Sequence, residues 1–132
     1  MSEGGGPIVL RPAHFPGRAP IDAYGNGGFR FADMSHRGSL LLLPSGIHGW
    51  EPEEEGKLSS ADIDRVLAEA DQIEILLVGM GKDLRPLPAE LRTALREAGI
   101  SSDPMSTGAA VRTYNVLLAE ERAVAAMLIA VD

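Results

Sequence analysis

The sequence predicts a single compact α/β domain in which a mixed sheet begins as antiparallel hairpin strands, continues as helix–strand–helix–strand, and carries helices packed upon it. Three observations predict it. Short β-like stretches separated by glycine-rich turns occupy residues 21–50, segments of helical periodicity follow, and the apolar runs Ile73–Val78 and Ala123–Val131 have the length and composition of buried strands. At 132 residues the chain can bury a core without disulfide or metal staples.

In chain order, residues 1–20 carry Gly4, Gly5, Gly6, Pro7, Pro12, Pro16 and Pro20 among few apolar residues. Burial cannot offset the ordering entropy of such a stretch, so a flexible arm is expected there and the folded domain over 21–132. Ile21–Tyr24 and Phe29–Phe31 form a hairpin around Gly25-Asn26-Gly27-Gly28, where Asn and Gly tolerate the positive φ of a tight turn. Met34-Ser35-His36-Arg37-Gly38 reads as a further turn. The four consecutive leucines of Ser39–Leu43 suit a strand buried on both faces, and Ile47–Trp50 follows Pro44-Ser45-Gly46 as another strand.

Ser59 and Ser60 offer N-caps, Asp62 lies three residues after Ser59, and Ile63, Val66, Leu67 and Ala70 recur at helical spacing. Ile73–Val78 then ends in Gly79-Met80-Gly81. A second helix begins near Pro88, whose missing N–H costs nothing in a first turn, and stops at Gly99 as a left-handed cap, with Leu91, Leu95 and Ala98 inward. Thr107 caps a third helix running to about Glu121, with Ala110, Tyr114, Leu117 and Leu118 on its buried stripe, and Ala123–Val131 closes the chain. Such alternation calls for at least one right-handed parallel crossover.

Composition removes several function classes. Net charge is −7, and residues 51–74 alone account for it, with nine acids against Lys57 and Arg65. The remainder is balanced and forces no basic face, which argues against nucleic acid as a partner, while the acidic window reads as a solvated loop and exposed helix face. The longest apolar run spans nine residues, against the ~20 of a membrane-crossing helix, so no stable membrane insertion is expected. The absence of cysteine excludes disulfides, thiolate metal sites and thiol nucleophiles and points to a reducing cytoplasm. Gly4-Gly5-Gly6-Pro7 does not read as part of a signal peptide.

Few residues suggest chemistry. Gly79-Met80-Gly81 after a buried strand resembles the start of a dinucleotide fingerprint, but position 84 is Leu, not Gly, and Pro86 and Pro88 delay the helix that would receive a pyrophosphate. His14, His36 and His48 have no metal-ligand spacing, so no metal or cofactor is expected. Ser45 sits outside a nucleophile-elbow motif with no acid–histidine partner suggested, and Glu53-Glu54-Glu55 reads as a solvated run. Trp50 reads as core, with a surface role in partner binding as the alternative. The best candidate is the head of the third helix: Ser106-Thr107-Gly108-Ala109 presents backbone N–H groups between small residues, with Arg112 and Asn115 along the same face and Arg85 nearby. An ordinary capped helix, with an arginine pairing Asp103 or Asp83, is the alternative. Tyr114 reads as core with its hydroxyl on a polar partner.

The run Ser106-Thr107-Gly108-Ala109-Ala110-Val111-Arg112-Thr113-Tyr114-Asn115-Val116-Leu117-Leu118, with Leu77-Val78-Gly79-Met80-Gly81 and Leu87-Pro88 upstream, resembles the domain shared by mitochondrial complex I assembly factor 3 and the adipogenesis-associated Mth domain-containing protein. The resemblance spans about residues 20–131. It implies a three-layer α/β fold, no established enzymatic activity, and an accessory protein that binds other proteins, in mitochondria during assembly of NADH:ubiquinone oxidoreductase. By the same resemblance, many relatives carry cysteine in the slot held here by Val111, so a thiol-based role for that slot cannot operate in this chain. Taken together, a non-catalytic interaction protein is expected, with a cleft formed by Gly79, Met80, Gly81, Arg85, Thr107, Gly108, Arg112 and Asn115. A binder of small anionic metabolites, or an enzyme using that cleft, is the competing expectation. Monomer and dimer both remain open.

Overall fold

The computed structural model describes residues 14–52 and 58–132. Residues 1–13 of the expected arm and the run Glu53-Glu54-Glu55 lie outside the described residues. In order, the elements are β1 (His14–Phe15), β2 (Ala23–Gly25), β3 (Gly28–Phe31), β4 (Met34–Arg37), β5 (Ser39–Leu43), β6 (Gly46–Trp50), α1 (Ser60–Leu67), a 3₁₀ turn (Ala70–Gln72), β7 (Ile75–Gly79), α2 (Ala89–Glu97), β8 (Ser101–Met105), α3 (Thr107–Ala119) and β9 (Val124–Leu128).

A six-stranded sheet in the order β1-β6-β5-β9-β7-β8 forms the middle layer. Its first half is antiparallel, β6 and β9 both pairing β5, and its second half is parallel, β9 and β8 both pairing β7. The leucines of β5 show why the sheet is covered twice. Leu41 and Leu43 pack with Ile63, Val66, Leu91 and Leu95 of α1 and α2, whereas Leu40 and Leu42 pack with Ala110, Val111 and Tyr114 of α3 and with Phe29 and Phe31 of β3. Alternating side chains of one strand thus feed two separate cores, and three layers follow.

The hairpin expected at residues 21–31 exists, with Gly25 opposite Gly28 and Asn26 and Gly27 both at positive φ, 53° and 80°. It belongs to its own three-stranded sheet with β4. Residues 34–37, read as a turn from the sequence, are a strand because Ala32 and Asp33 take positive φ, 48° and 60°, and close a second two-residue hairpin, Phe31 opposite Met34. Alanine rarely signals that conformation. The strand β8 also escaped the pattern, being polar and containing Pro104. It is a sheet edge, where a proline removes no required ladder bond. Within the expected arm, His14 and Phe15 pair with His48 and Ile47, and Ala19 is buried.

Local signals otherwise place the helices. Asp62 accepts the Ser59 backbone N–H at 2.7 Å at the head of α1 and also the Trp50 indole N–H at 3.3 Å. Trp50 is therefore core, and Asp62, within the acidic window expected to be solvated, is buried. Gly99 at φ 85° ends α2. Ser106, not Thr107, caps α3: its hydroxyl accepts from the Ala109 N–H.

Tyr114 is 1% exposed. Contrary to expectation, its hydroxyl has no hydrogen-bond partner among the described residues, and burial pushes its pKa up to about 12 against the weaker opposing influence of Arg18. A buried hydroxyl without a partner costs free energy, so Tyr114→Phe should leave stability unchanged or raise it by up to about 1 kcal/mol in urea unfolding. A loss above about 1 kcal/mol would show that the hydroxyl has a partner in solution.

Candidate functional site

The two bends singled out in the sequence do meet. The Thr107 N–H donates to Gly81 O at 2.8 Å. Thr107 Oγ1 accepts the Gly81 N–H at 3.1 Å and donates to Ile129 O at 2.7 Å. Because Ser106 performs the capping, the threonine hydroxyl is free to bolt the ends of β7 and β9 to the start of α3. Gly79 allows this approach: a Cβ there would stand 3.0 Å from Thr107 Cα and 3.2 Å from both Ala110 Cβ and Leu128 Cδ2.

Consequently the middle of the expected cleft is a packed junction. Thr107 is 0% and Met80 4% exposed, and Met80 shows only an edge to the open cavity that it lines with Gly81. The N–H groups of Thr107, Ala109 and Ala110 go to Gly81 O, Ser106 Oγ and Ser106 O, leaving that of Gly108 alone in the first turn without an acceptor among the described residues. Asn115 is equally committed. Its Oδ1 accepts the Ile21 N–H and its Nδ2 donates to Ile21 O, both at 2.8 Å, which fixes the chain entering the small sheet.

The remaining candidates reach solvent on two sides of this junction. Gly81 and Arg85, with Lys82 and Asp83, line an open cavity of about 570 Å³ beside residues 129–132. On the other side, Gly108 lies under the phenol of Tyr24, whose hydroxyl occupies the space a Cβ at Gly108 would need, and Arg112 Nη1 comes within 3.5 Å of that same position. Arg112 forms no ion pair among the described residues, so the pairing with Asp103 or Asp83 is not made.

The structure assembles one cluster that sequence spacing does not reveal. Ser45 Oγ lies 2.6 Å from Glu69 Oε2 and 3.2 Å from His48 Nε2, and the Ser45 N–H donates to Glu69 Oε1 at 2.9 Å. Ser45 thus has both an acid and a histidine beside it, correcting the expectation of neither. The geometry is still not a nucleophile relay, since the carboxylate bonds the serine itself and not the far nitrogen of the imidazole. His14, opposite His48 across β1 and β6, brings its ring to 5.8 Å from that of His48. No group of three or more metal-ligating side chains occurs among the described residues.

Two measurements follow. Asn115→Ala strips both partners from the Ile21 backbone and should lower stability by about 1–3 kcal/mol, and Asn115→Asp, which sets a carboxylate against Ile21 O, should cost at least as much at neutral pH, both read from urea midpoints. His48 has its pKa lowered from 6.5 by burial, then by Arg65 and His14, with Glu69 opposing. Its stabilising contribution is full above pH 6.5 and lost as pH falls below that value, because the unfolded chain binds the proton more readily. Wild type should therefore lose stability relative to His48→Gln on acidification below pH 6.5, and a difference independent of pH would refute the assignment.

Known proteins resemble this chain along most of its length. It is 41% identical over 122 residues to an uncharacterised protein of Rhodobacter capsulatus, covering 92% of this chain and 93% of that one. It is 30% identical over 109 residues to NADH dehydrogenase (ubiquinone) 1 alpha subcomplex assembly factor 3 of Danio rerio, covering 83% of this chain but only 63% of that protein, so it spans less than two thirds of that relative. A crystal structure of a protein from Bartonella henselae, described as an outer membrane protein, is 67% identical with TM-score 0.87, covering 90% of this chain and 100% of that one. The solution structure of a Mth938-like domain from Bordetella pertussis is 24% identical with TM-score 0.73 over 84% of this chain and 85% of that one, a likeness of fold. The family model described as "Protein of unknown function (DUF498/DUF598)" matches residues 21–129, and the chain belongs to that family.

Proposed function

We propose that this chain is a non-catalytic accessory protein that binds other proteins and assists assembly of a respiratory NADH:ubiquinone oxidoreductase. The similarity to the Danio rerio assembly factor, over 83% of this chain, carries the reading. The surface chemistry supports it. With Thr107 and Asn115 bonded to backbone, what the motif run offers to a partner is the outward face of α3, where Arg112 and Val116 stand one turn apart and Tyr24 lies over Gly108. Val116 is 56% exposed and Leu84, next to Arg85, is 69% exposed. Arginine and tyrosine, as at Arg112 and Tyr24, are the residue types enriched at interface hot spots. The described helices include none long and apolar enough to cross a membrane, and the proposal places the protein in the bacterial cytoplasm, beside the membrane-bound enzyme it would serve.

A second reading is a binder of small anionic metabolites, or an enzyme acting on one, and the open cavity holding Lys82 and Arg85 favours it. It uses the same candidates: Gly79, Met80, Gly81, Arg85, Thr107, Gly108, Arg112 and Asn115.

Affinity purification from the native cell separates the two. Subunits of the oxidoreductase should co-elute with wild type, and recovery should fall about tenfold or more with Val116→Asp or Arg112→Glu while thermal stability is kept. Failure of those subunits to co-elute, together with saturable shifts of the Thr107–Arg112 amides by an anionic metabolite, would overturn the first reading in favour of the second.

A further inference from the structure

The outward face of the small sheet presents a second, separate feature. Cross-strand register places Ala23 opposite Arg30, Gly25 opposite Gly28, Arg30 opposite Ser35 and Gly28 opposite Arg37. Since side chains alternate along a strand, these six residues share one face, and Phe29 and Phe31 point the other way into the core. All six line a shallow trough of about 260 Å³. Its floor includes Ala23 and Gly25, which have little or no side chain to fill it, and a Cβ at Gly25 would meet nothing within 4 Å.

Three polar side chains line this trough, those of Arg30, Ser35 and Arg37. Arg30 and Arg37 occupy diagonal positions on neighbouring rungs, where Cα separations are about 7–8 Å and both guanidinium groups can reach one ligand. Neither has an ion-pair or hydrogen-bond partner among the described residues, although the chain as a whole carries a net charge of −7. Between them, Ser35 is only 9% exposed, and its hydroxyl also has no hydrogen-bond partner among the described residues. A nearly buried hydroxyl without a partner is costly, and two adjacent uncompensated cations repel one another. One multi-oxygen anion seated on the glycine floor would relieve both.

We infer that Arg30, Ser35 and Arg37 form a binding site for a small polyanion, a phosphate or a carboxylate with several oxygens, on the outward face of the β2–β3–β4 sheet. Two guanidinium groups supply planar, charge-assisted donors of the kind that hold such oxygens in pairs, and the serine hydroxyl supplies a third direction of approach. The trough is just below the ~300–1,000 Å³ typical of sites for drug-sized ligands, so the ligand is a small metabolite or a single charged head of a larger one. Its three binding side chains are not those of the α3 face, although Tyr24 of that face also lines the trough, and its existence does not depend on the assembly role.

Amide NMR of the intact protein tests it, titrating inorganic phosphate and, separately, succinate at constant ionic strength with chloride as the control. The expected result is saturable movement of the amides of Gly25, Gly28, Arg30, Ser35 and Arg37 with at least one of the two anions. Arg30→Ala and Arg37→Ala should each weaken binding by about tenfold or more, and Ser35→Ala by less. Saturation by phosphate alone assigns a phosphate ligand, and by succinate alone a carboxylate. Shifts that grow linearly with both anions, or affinities unchanged in the folded Arg30→Ala and Arg37→Ala proteins, would overturn the site.

Discussion

The approach of α3 to the sheet rests on one buried hydroxyl. Thr107 Oγ1 takes the N–H of Gly81 and gives its proton to Ile129 O, joining the ends of two parallel neighbours to the start of the helix that covers them. The joint works only because Gly79 has no side chain, so that Thr107 and Ala110 can lie directly against β7. A polar group in such a dry place is stable only when both its donor and its acceptor capacity are used. Here they are. The position of α3 then determines where Tyr114 fills the second core and where Asn115 receives the backbone of Ile21.

Several polar members of the family's motif are therefore structural. Thr107 bolts the sheet, Ser106 caps the helix, Asn115 clamps the chain that enters the small sheet, and Gly108 leaves room for Tyr24. Arg112 differs because its side chain is exposed and has no structural bond among the described residues. Residues that look like an anion cradle in one dimension thus face backbone partners in three. Among the described residues, surfaces open to other molecules include the outward side of α3, the cavity beside Gly81, and the trough of the small sheet.

The small sheet shows how layers and sites are linked. Its inward side, through Phe29 and Phe31, completes the core over Leu40 and Leu42, and the Gly27 N–H bonds Val131 O after β9. Its outward side needs no such residues, and glycine, alanine, serine and arginine stand there instead. Period-two alternation thus supplies stability and a polar surface from the same few residues.

The class of fold is legible in one dimension, because apolar alternation, leucine runs, caps and glycine stops are local consequences of backbone geometry and burial. Helices α1 to α3 and strands β5, β6, β7 and β9 are all legible in that way. The family is likewise recognisable from the sequence, through a run of residues whose spacing is fixed by one helix. Only the tertiary structure decided which strands pair and what the polar residues touch. The strand β4 depends on positive φ at Ala32 and Asp33, β8 on an edge that tolerates Pro104, and β1 on a partner more than thirty residues away. The meeting of Ser45 with Glu69 and of Ile21 with Asn115 likewise depends on separate segments being brought together, and hydrogen bonds act over distances in space that carry no periodic mark along the chain.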